Sequence, residues 1–351
     1  MITYTDTILK LKFKKEIGGV EGKNSTVYIA YDPQLDTDLV IKKISKTEFS
    51  KVEDYFTEAQ MLYSTQHPNI MPIKYASQDS QYIYIAMDFM EKGSLNNLID
   101  KRFLTPREII KISLEFLSGI HFMHAKRLVH FDIKPTNILI NNANKAIVTD
   151  FGTSKYLNDY GFANPDKLYT LHIPPEQFNF GRFSYFSDIY QAGLTIYRMC
   201  NGNKFFMEQL TDLDIKNRLE LAEAIGTNKF PDKKKYLPHI PMGLRKIISK
   251  SLSINVEDRY QSVLEMMNDL AILENDLDWD YNEKTNVHST ISYKTDTHVS
   301  EVSVLKNDSD FWYTEGYKIR ISDGKRTRMT KFFIRDLKTK QDAFEAVFKI
   351  L

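Results

Sequence analysis

From Leu9 to Lys14, apolar and basic residues alternate. Leu9, Leu11 and Phe13 stand against Lys10, Lys12 and Lys14, the period of a half-buried strand. Gly18, Gly19 and Gly22 interrupt the pattern. Val27-Tyr28-Ile29-Ala30 and Leu39-Val40-Ile41 are β-rich runs parted by the turn pair Asp32-Pro33. Between about Ser50 and Thr65 the period becomes helical, with Tyr55, Ala59 and Leu62 on one face. Met71 to Tyr75 and Tyr82 to Met87 return to the strand pattern. The first 91 residues thus predict a small sheet with one inserted helix.

From Leu95 the pattern is mainly helical. Thr105-Pro106-Arg107-Glu108 reads as a capping box with Pro at the first helical position. The stripe Ile109, Ile112, Phe116, Ile120 and Met123 behind it reads as core. Helical runs recur over Ile189 to Met199, Leu244 to Leu252 and Val263 to Leu273, with Pro231, Pro238 and Pro241 in the connections. Past Asn275 the composition shifts. Asp276, Asp278 and Asp280 form an acidic stretch with the features of a linker. Ser289 to Leu305 and Phe311 to Ser322 alternate like strands, Ser322-Asp323-Gly324 signals a turn, Phe332-Phe333-Ile334 looks like a further strand, and Asp342 to Leu351 like a closing helix.

The 351 residues are 42% hydrophobic and 26% charged, an ordinary globular balance with room for two or three domains. A net charge of +1 argues for neither nucleic acid nor an anionic membrane as partner. The single cysteine, Cys200, can form no intrachain disulfide and reads as a small buried apolar residue. The start, Met1-Ile2-Thr3-Tyr4-Thr5-Asp6, lacks the basic and apolar runs of a signal peptide, and no apolar run approaches the ~20 residues that span a bilayer. A soluble cytoplasmic protein is expected.

One stretch carries chemistry: His130-Phe131-Asp132-Ile133-Lys134-Pro135-Thr136-Asn137, followed by Asp150-Phe151-Gly152. These are the parts of a phosphoryl-transfer site. One carboxylate orients a hydroxyl, a lysine steadies the moving phosphate, and Asn and Asp oxygens suit Mg²⁺. On these residues the chain resembles the eukaryotic-like (Hanks-type) Ser/Thr protein kinases, over roughly residues 11–275. The resemblance implies an α+β, two-lobed kinase-like fold. Residues 1–91 would form the β-rich N-lobe and 92–275 the helical C-lobe. Residues 276–351 would add a linker and a small accessory α+β domain, to which the resemblance does not extend.

The resemblance also implies site residues, with ATP and Mg²⁺ as cofactors. Asp132 would be the base and Lys134 the phosphate-stabilising cation, with Asn137 and Asp150 as Mg²⁺ ligands. Lys42, in Val40-Ile41-Lys42, would grip the α- and β-phosphates and be held by Glu58. Val20 and Gly22 fall at the glycine loop, an irregular match to the family's Gly-x-Gly-x-x-Gly-x-Val. Met87 would guard the adenine pocket, the backbone from Asp88 to Met90 would meet the adenine edge, and Val27, Val40 and Leu139 would sandwich the ring. Thr170 is matched to the threonine that contacts the catalytic Asp and Lys, one residue out of register with Pro174-Pro175-Glu176. Asp188 would brace the catalytic loop, Arg259 would pair with Glu176, and His130 and Phe151 would stack with Leu62 and Ile73.

Phe131 departs from the family's His-Arg-Asp. Phenylalanine cannot bind a phosphate on the activation loop, so activity independent of loop phosphorylation is expected, together with autophosphorylation. The expected partner is a protein with Ser or Thr acceptors. The tail concentrates basic residues, among them Arg320, Arg326, Arg328 and Arg335, as a solvated face or as a surface for a regulatory partner or the protein's own lobes; nucleic acid and membrane are not expected. Two other readings share parts of the pattern. One is a small-molecule phosphotransferase of kinase-like fold, against which stand Lys134, Phe151-Gly152 and Pro174-Pro175-Glu176 with Arg259. The other is a pseudokinase scaffold acting through its C-terminal domain, against which stands the intact set Lys42, Glu58, Asp132, Asn137 and Asp150.

Overall fold

The structure, a computed structural model, describes residues 8–18, 25–49, 51–165, 169–178 and 182–351. Its N-terminal part is a five-stranded antiparallel sheet of β1 (Lys12–Gly18), β2 (Ser25–Asp32), β3 (Thr37–Ser45), β4 (Ile73–Gln78) and β5 (Tyr82–Asp88), in the order β1-β2-β3-β5-β4. The helix α1 (Thr57–Ser64) is inserted between β3 and β4 and buries Ala59, Met61 and Leu62. β4 starts at Ile73, later than the alternation from Met71 suggests, because Pro72 has no N–H for a ladder. Met71 instead donates its N–H to the Val148 carbonyl at 2.8 Å, across to the helical part.

That part begins with α2 (Leu95–Lys101) and α3 (Pro106–Ala125). Thr105 and Glu108 cap α3 reciprocally, and the stripe Ile109, Ile112, Phe116, Ile120 and Met123 is buried. Short strands follow, β6 (Leu128–Val129), β7 (Ile138–Ile140), β8 (Ala146–Val148) and β9 (Lys155–Tyr156), paired as β6-β9 and β7-β8. The catalytic-type sequence lies between β6 and β7, and Asp150 just after β8. The long α4 (Tyr185–Asp212) is interrupted at Gly202, whose φ of +79° suits glycine. A Cβ there would also stand 3.2 Å from the Phe103 ring. Then come α5 (Arg218–Gly226), α6 (Met242–Ser251) and α7 (Val263–Ala271).

The tail is a six-stranded antiparallel sheet carrying one helix. β10 (Asp280–Thr285), β11 (His288–Lys294), β12 (His298–Lys306), β13 (Trp312–Arg320) and β14 (Arg326–Arg328) pair in sequence order, and β15 (Ile334–Leu337) also pairs with β13. Ser289 to Leu305 is therefore two strands, reversing where Thr295 and His298 exchange hydrogen bonds. Phe332 closes a 3₁₀ turn ahead of β15, and α8 (Lys340–Phe348) starts behind a Thr339/Asp342 capping box. The acidic stretch is docked on α3. Arg107 donates its backbone N–H to the Leu277 carbonyl at 2.9 Å and its guanidinium to Asp278 at 2.8 Å. Tyr281, 3% exposed, sets its ring edge-on to Phe103 and parallel to His239.

Candidate active site

Strand pairing brings Lys42 on β3 to the inner face of the sheet, and α1 lays Glu58 against it. Lys42 Nζ donates to Glu58 Oε1 at 2.7 Å, Glu58 Oε2 at 2.9 Å and Asp150 Oδ1 at 2.9 Å. Burial disfavours the ammonium charge, but the Asp150 and Glu58 carboxylates outweigh it and raise the Lys42 pKa. Lys42 in turn, against the opposing effect of burial, draws the Asp150 carboxyl down to about 2. Gly152 borders this knot. A Cβ there would stand 3.3 Å from Lys42 Nζ and 3.4 Å from Asp150 Oδ1.

Asp132, Lys134 and Asn137 are each 6% exposed. Asn137 Nδ2 donates to the Asp132 carbonyl at 2.9 Å and to its Oδ2 at 2.7 Å, while Lys134 Nζ stands 3.0 Å from the same Oδ2. Asp132 Oδ1 is buried and has no hydrogen-bond partner among the described residues. Burial pushes the Asp132 carboxyl up from its usual range, Lys134 pulls it down and Asp150 adds to the rise.

The loop backbone hangs on α4. Asp188, fully buried, accepts from the His130 N–H at 2.9 Å and the Phe131 N–H at 2.8 Å, and meets His124 Nε2 at 2.7 Å. Gln191, one turn on, accepts from the Ile133 N–H at 3.0 Å and donates to the Phe131 carbonyl at 2.8 Å. His130 Nδ1 accepts from the Asp132 N–H, so its Nε2 donates to the Thr149 carbonyl at 3.1 Å. Its ring meets Phe151 edge-on at 5.5 Å, a packing role. His172 completes the support. Its Nδ1 donates to the Ile133 carbonyl at 2.9 Å and its Nε2 accepts from Arg198 at 3.0 Å. Burial, then Arg198, holds this imidazole neutral, well below its usual pKa. Glu176 and the buried Arg259 form a bidentate pair at 2.8 and 3.2 Å.

Phe131 is fully buried, in an apolar cluster with Val129, Leu157 and Phe183. Its φ is +63°, a left-handed conformation that a non-glycine residue adopts only where surrounding contacts enforce it.

The remaining candidates scatter more. Val40 pairs with Met87 across β3 and β5; Val40, Met90 and Leu139 pack, partly buried, against the core that holds Met87. Val27 is half-buried opposite Lys42. Asp88 pairs its carboxylate with Lys74 at 2.9 Å. Val20 and Gly22 lie outside the described residues. Thr170 is exposed, and neither Asp132 nor Lys134 is among its partners in the described residues; Tyr169 takes that place, its ring centroid 4.1 Å from Lys134 Nζ. Sequence reasoning missed Tyr169, His172 and Gln191. The one-residue misfit before Pro174-Pro175-Glu176 was the signal for Tyr169. Nothing in the spacing marked Gln191, although it lies one helical turn from Asp188.

Among the described residues, no three His, Cys, Asp or Glu side chains gather into a metal site. The donor set still fits Mg²⁺ if nucleotide phosphates and water complete it, since Asn137 and Asp150 both offer hard oxygens. A separate cavity of about 460 Å³ opens where the tail meets the helical part, between Phe103, Gly202, Tyr281 and Phe344.

Residues 11–270 match the protein kinase domain family. Over 266 residues the chain is 28% identical to the probable serine/threonine-protein kinase PknB of Lactococcus lactis, covering 73% of this chain and 41% of that protein. It is 30% identical to the serine/threonine-protein kinase PrkC of Bacillus subtilis, covering 72% of this chain and 39% of the relative. With the human serine/threonine-protein kinase ULK3 the identity is 27%, covering 70% and 49%. Each match reaches less than half the relative's length.

Proposed function

The chain belongs to the protein kinase family, in its Hanks-type Ser/Thr branch, and from that premise we propose that it transfers the γ-phosphoryl group of ATP to Ser or Thr hydroxyls of proteins, its own included. One observation carries the reading most. Asp132 has one carboxylate oxygen tied down by Asn137 and Lys134 and the other buried without a hydrogen-bond partner among the described residues, which suits it to an incoming hydroxyl. In this reaction the acceptor oxygen forms a bond to the γ-phosphorus and gives its proton to Asp132. The bond to the β–γ bridging oxygen breaks, and ADP leaves with the electron pair. Lys42, released in part from Asp150, grips the α- and β-phosphates, and Glu58 keeps it aimed. Mg²⁺ held by Asn137 and Asp150 would supply positive charge against the phosphates. Val27, Val40, Met87 and Leu139 with the backbone of Asp88 to Met90 hold the adenine, and Val20 and Gly22 are assigned to the same nucleotide site from the sequence alone.

The proposal includes the absence of a need for activation-loop phosphorylation. It is supported by the cluster in which Phe131 packs against Leu157 of the activation segment, where a charged side chain would seek a phosphate. The division into an N-lobe of residues 1–91, a C-lobe of 92–275 and a tail of 276–351 belongs to the same reading, as does a protein substrate. An intramolecular role for the tail is favoured by the Arg107–Asp278 and Phe103–Tyr281 contacts. No helix among the described residues is long and apolar enough to cross a membrane, and a reducing, cytoplasmic setting suits the buried thiol of Cys200.

Asp132→Asn and Lys42→Met should each abolish phosphate incorporation from radiolabelled ATP, into the chain itself and into casein. Undiminished labelling by either variant would refute the role given to that residue.

A further inference from the structure

The tail sheet has two unlike faces. Along β13, the buried Trp312, Thr314 and Gly316 alternate with the half-buried Tyr313, Glu315 and Tyr317. Trp312, on the buried side, joins Phe332 and the α8 residues Ala343, Phe344 and Val347 in the core. The other side carries rings and arginines. Strand register sets Arg328 opposite Tyr317 and Arg326 opposite Ile319, so both side chains rise from the face that bears Tyr317.

Each guanidinium there lies over a ring. Arg326 stands 4.2 Å from the Tyr317 centroid, Arg328 3.6 Å from that of Phe333 and Arg335 4.5 Å from that of Tyr313. Phe333 meets Tyr317 edge-on at 5.5 Å, which ties the set together. Arg335 also pairs with Glu315 at 2.9 Å. Arg326 and Arg328 are exposed, and among the described residues neither guanidinium meets a carboxylate or donates a hydrogen bond. Residues 311–340 hold nine Lys or Arg against three Asp or Glu, in a chain whose net charge is +1. The rest of the chain is therefore net acidic, and the positive field is local to this segment.

Solvated surface charges need no rings beneath them. A ring fixes a guanidinium through its quadrupole and leaves its forked N–H donors for another partner. Two such forks two residues apart, about 6.6 Å along a strand, suit a group with several acceptor oxygens, and a phosphate monoester offers three. Nucleic-acid bases would instead need open ring faces to stack on, and arginines already cover these rings. β14 ends the sheet, so its outer edge pairs with no strand among the described residues. An extended peptide laid along that edge turns alternate side chains toward the arginine face.

We propose that this face of the tail binds phosphorylated Ser or Thr segments of proteins, with Arg326 and Arg328 together holding the phosphate. The choice of a phosphoprotein over other anions rests on the kinase reading, because transfer to Ser and Thr hydroxyls creates that group. A tail docked on the helical lobe then holds phosphorylated product close to the site that made it.

The test is fluorescence anisotropy on the full chain without ATP or Mg²⁺. The probes are a labelled synthetic peptide with one phosphothreonine, its unphosphorylated twin and oligo-dT. The phosphopeptide should bind, and its twin should bind about tenfold or more weakly. Arg326→Gln together with Arg328→Gln should weaken the phosphopeptide about ten- to a hundredfold, the scale of a lost hydrogen bond to a charged group. Arg326→Lys with Arg328→Lys keeps the charge without the planar fork and should also weaken it. Arg320→Gln removes a guanidinium already paired with Asp323 and should leave binding unchanged. All these positions are exposed, so the melting curves should coincide.

Equal affinity for the two peptides overturns the inference. So does tighter binding of oligo-dT, a lysine pair that binds as well as the arginines, or no binding at all. A chain that binds the phosphopeptide but transfers nothing to casein or to itself sinks the kinase reading and spares the site. Transfer without binding does the reverse.

Discussion

Lys42 is a nearly sealed cation, its side chain 10% exposed, and two carboxylates converge on it. Stripping water from an ammonium is costly, and the arrangement holds because both opposing charges lie within hydrogen-bond distance. Removing either carboxylate would leave the lysine under-compensated, so each member of the knot constrains the others. Gly152 belongs to it although it carries no functional group. Its motif position is legible in the chain as the glycine after Asp150-Phe151, but the reason for it is spatial. The hydrogen faces a space already filled by Lys42 and Asp150. Gly152→Ala would set its methyl 3.3 Å from Lys42 Nζ, so the ammonium must give by a few tenths of an ångström, and kcat/KM for ATP should fall while the melting point changes little. Steady-state kinetics beside a melting curve would check this; unchanged kcat/KM would mean the knot yields freely. Tyr169 was harder to read. A tyrosine next to a threonine offers two candidates for one site, and only the turn geometry decides which side chain faces Lys134.

At the scale of elements, the catalytic loop has almost no regular structure of its own and borrows rigidity from α4. Asp188 and Gln191 reach it with four hydrogen bonds to the backbone of residues 130 to 133. The activation segment is tied to the loop by apolar packing, through Leu157 on Phe131, with Phe183 just beyond the segment. Apolar contacts of this kind need no added charge to form. Phosphatase-treated protein should therefore keep its kcat within about twofold, in contrast to segments ordered by phosphate–arginine pairing. A large loss on treatment, restored by rephosphorylating the segment, would show that the cluster is not enough. The segment also buries Ser154, 4% exposed, while Tyr160 is 86% exposed, a distinction among hydroxyls that residue type alone does not make. Element boundaries were least legible in the tail. The reversal between β11 and β12 uses no glycine or proline, only Thr295 bonding to His298, so the two strands read as one. The acidic stretch ahead of β10 looked like a linker because the partner of Asp278 lies 171 residues earlier, on α3.

Across the whole molecule, the tail is packed onto the helical lobe and shares its hydrophobic core. Leu277, Tyr281, Phe344 and Val347 are buried in one cluster with residues of α3, α4 and α6. Arg245 of α6 lies over the Phe348 ring at 3.6 Å; burial there lowers its pKa to about 10. Cutting the chain after Asn275 would uncover Phe103 and the His239 ring, each now covered by Tyr281. Exposing a buried apolar side chain costs about 1.5–3 kcal/mol, and a chain of 150–250 residues loses roughly 2–4 °C of melting temperature per kcal/mol, a longer one less. The 1–275 truncation should accordingly melt below the full chain in a thermal scan. An equal melting point would show that the tail contributes nothing to the lobe.

Legible in the chain alone were the strand-rich start, the helical middle and the motif that carries the kinase resemblance, because those depend on local period and on residue types at short spacing; the two-lobed fold and the candidate roster of Lys42, Glu58, Asp132, Lys134, Asn137 and Asp150 are what that resemblance implies. Tertiary structure decided which oxygen of Asp132 is left without a hydrogen-bond partner among the described residues, why residue 152 bears no side chain, that Tyr169 and not Thr170 meets the lysine, and that the tail is docked. Each of these is a contact between segments far apart in sequence, and spacing along a chain carries no information about which side chains will share a space after folding.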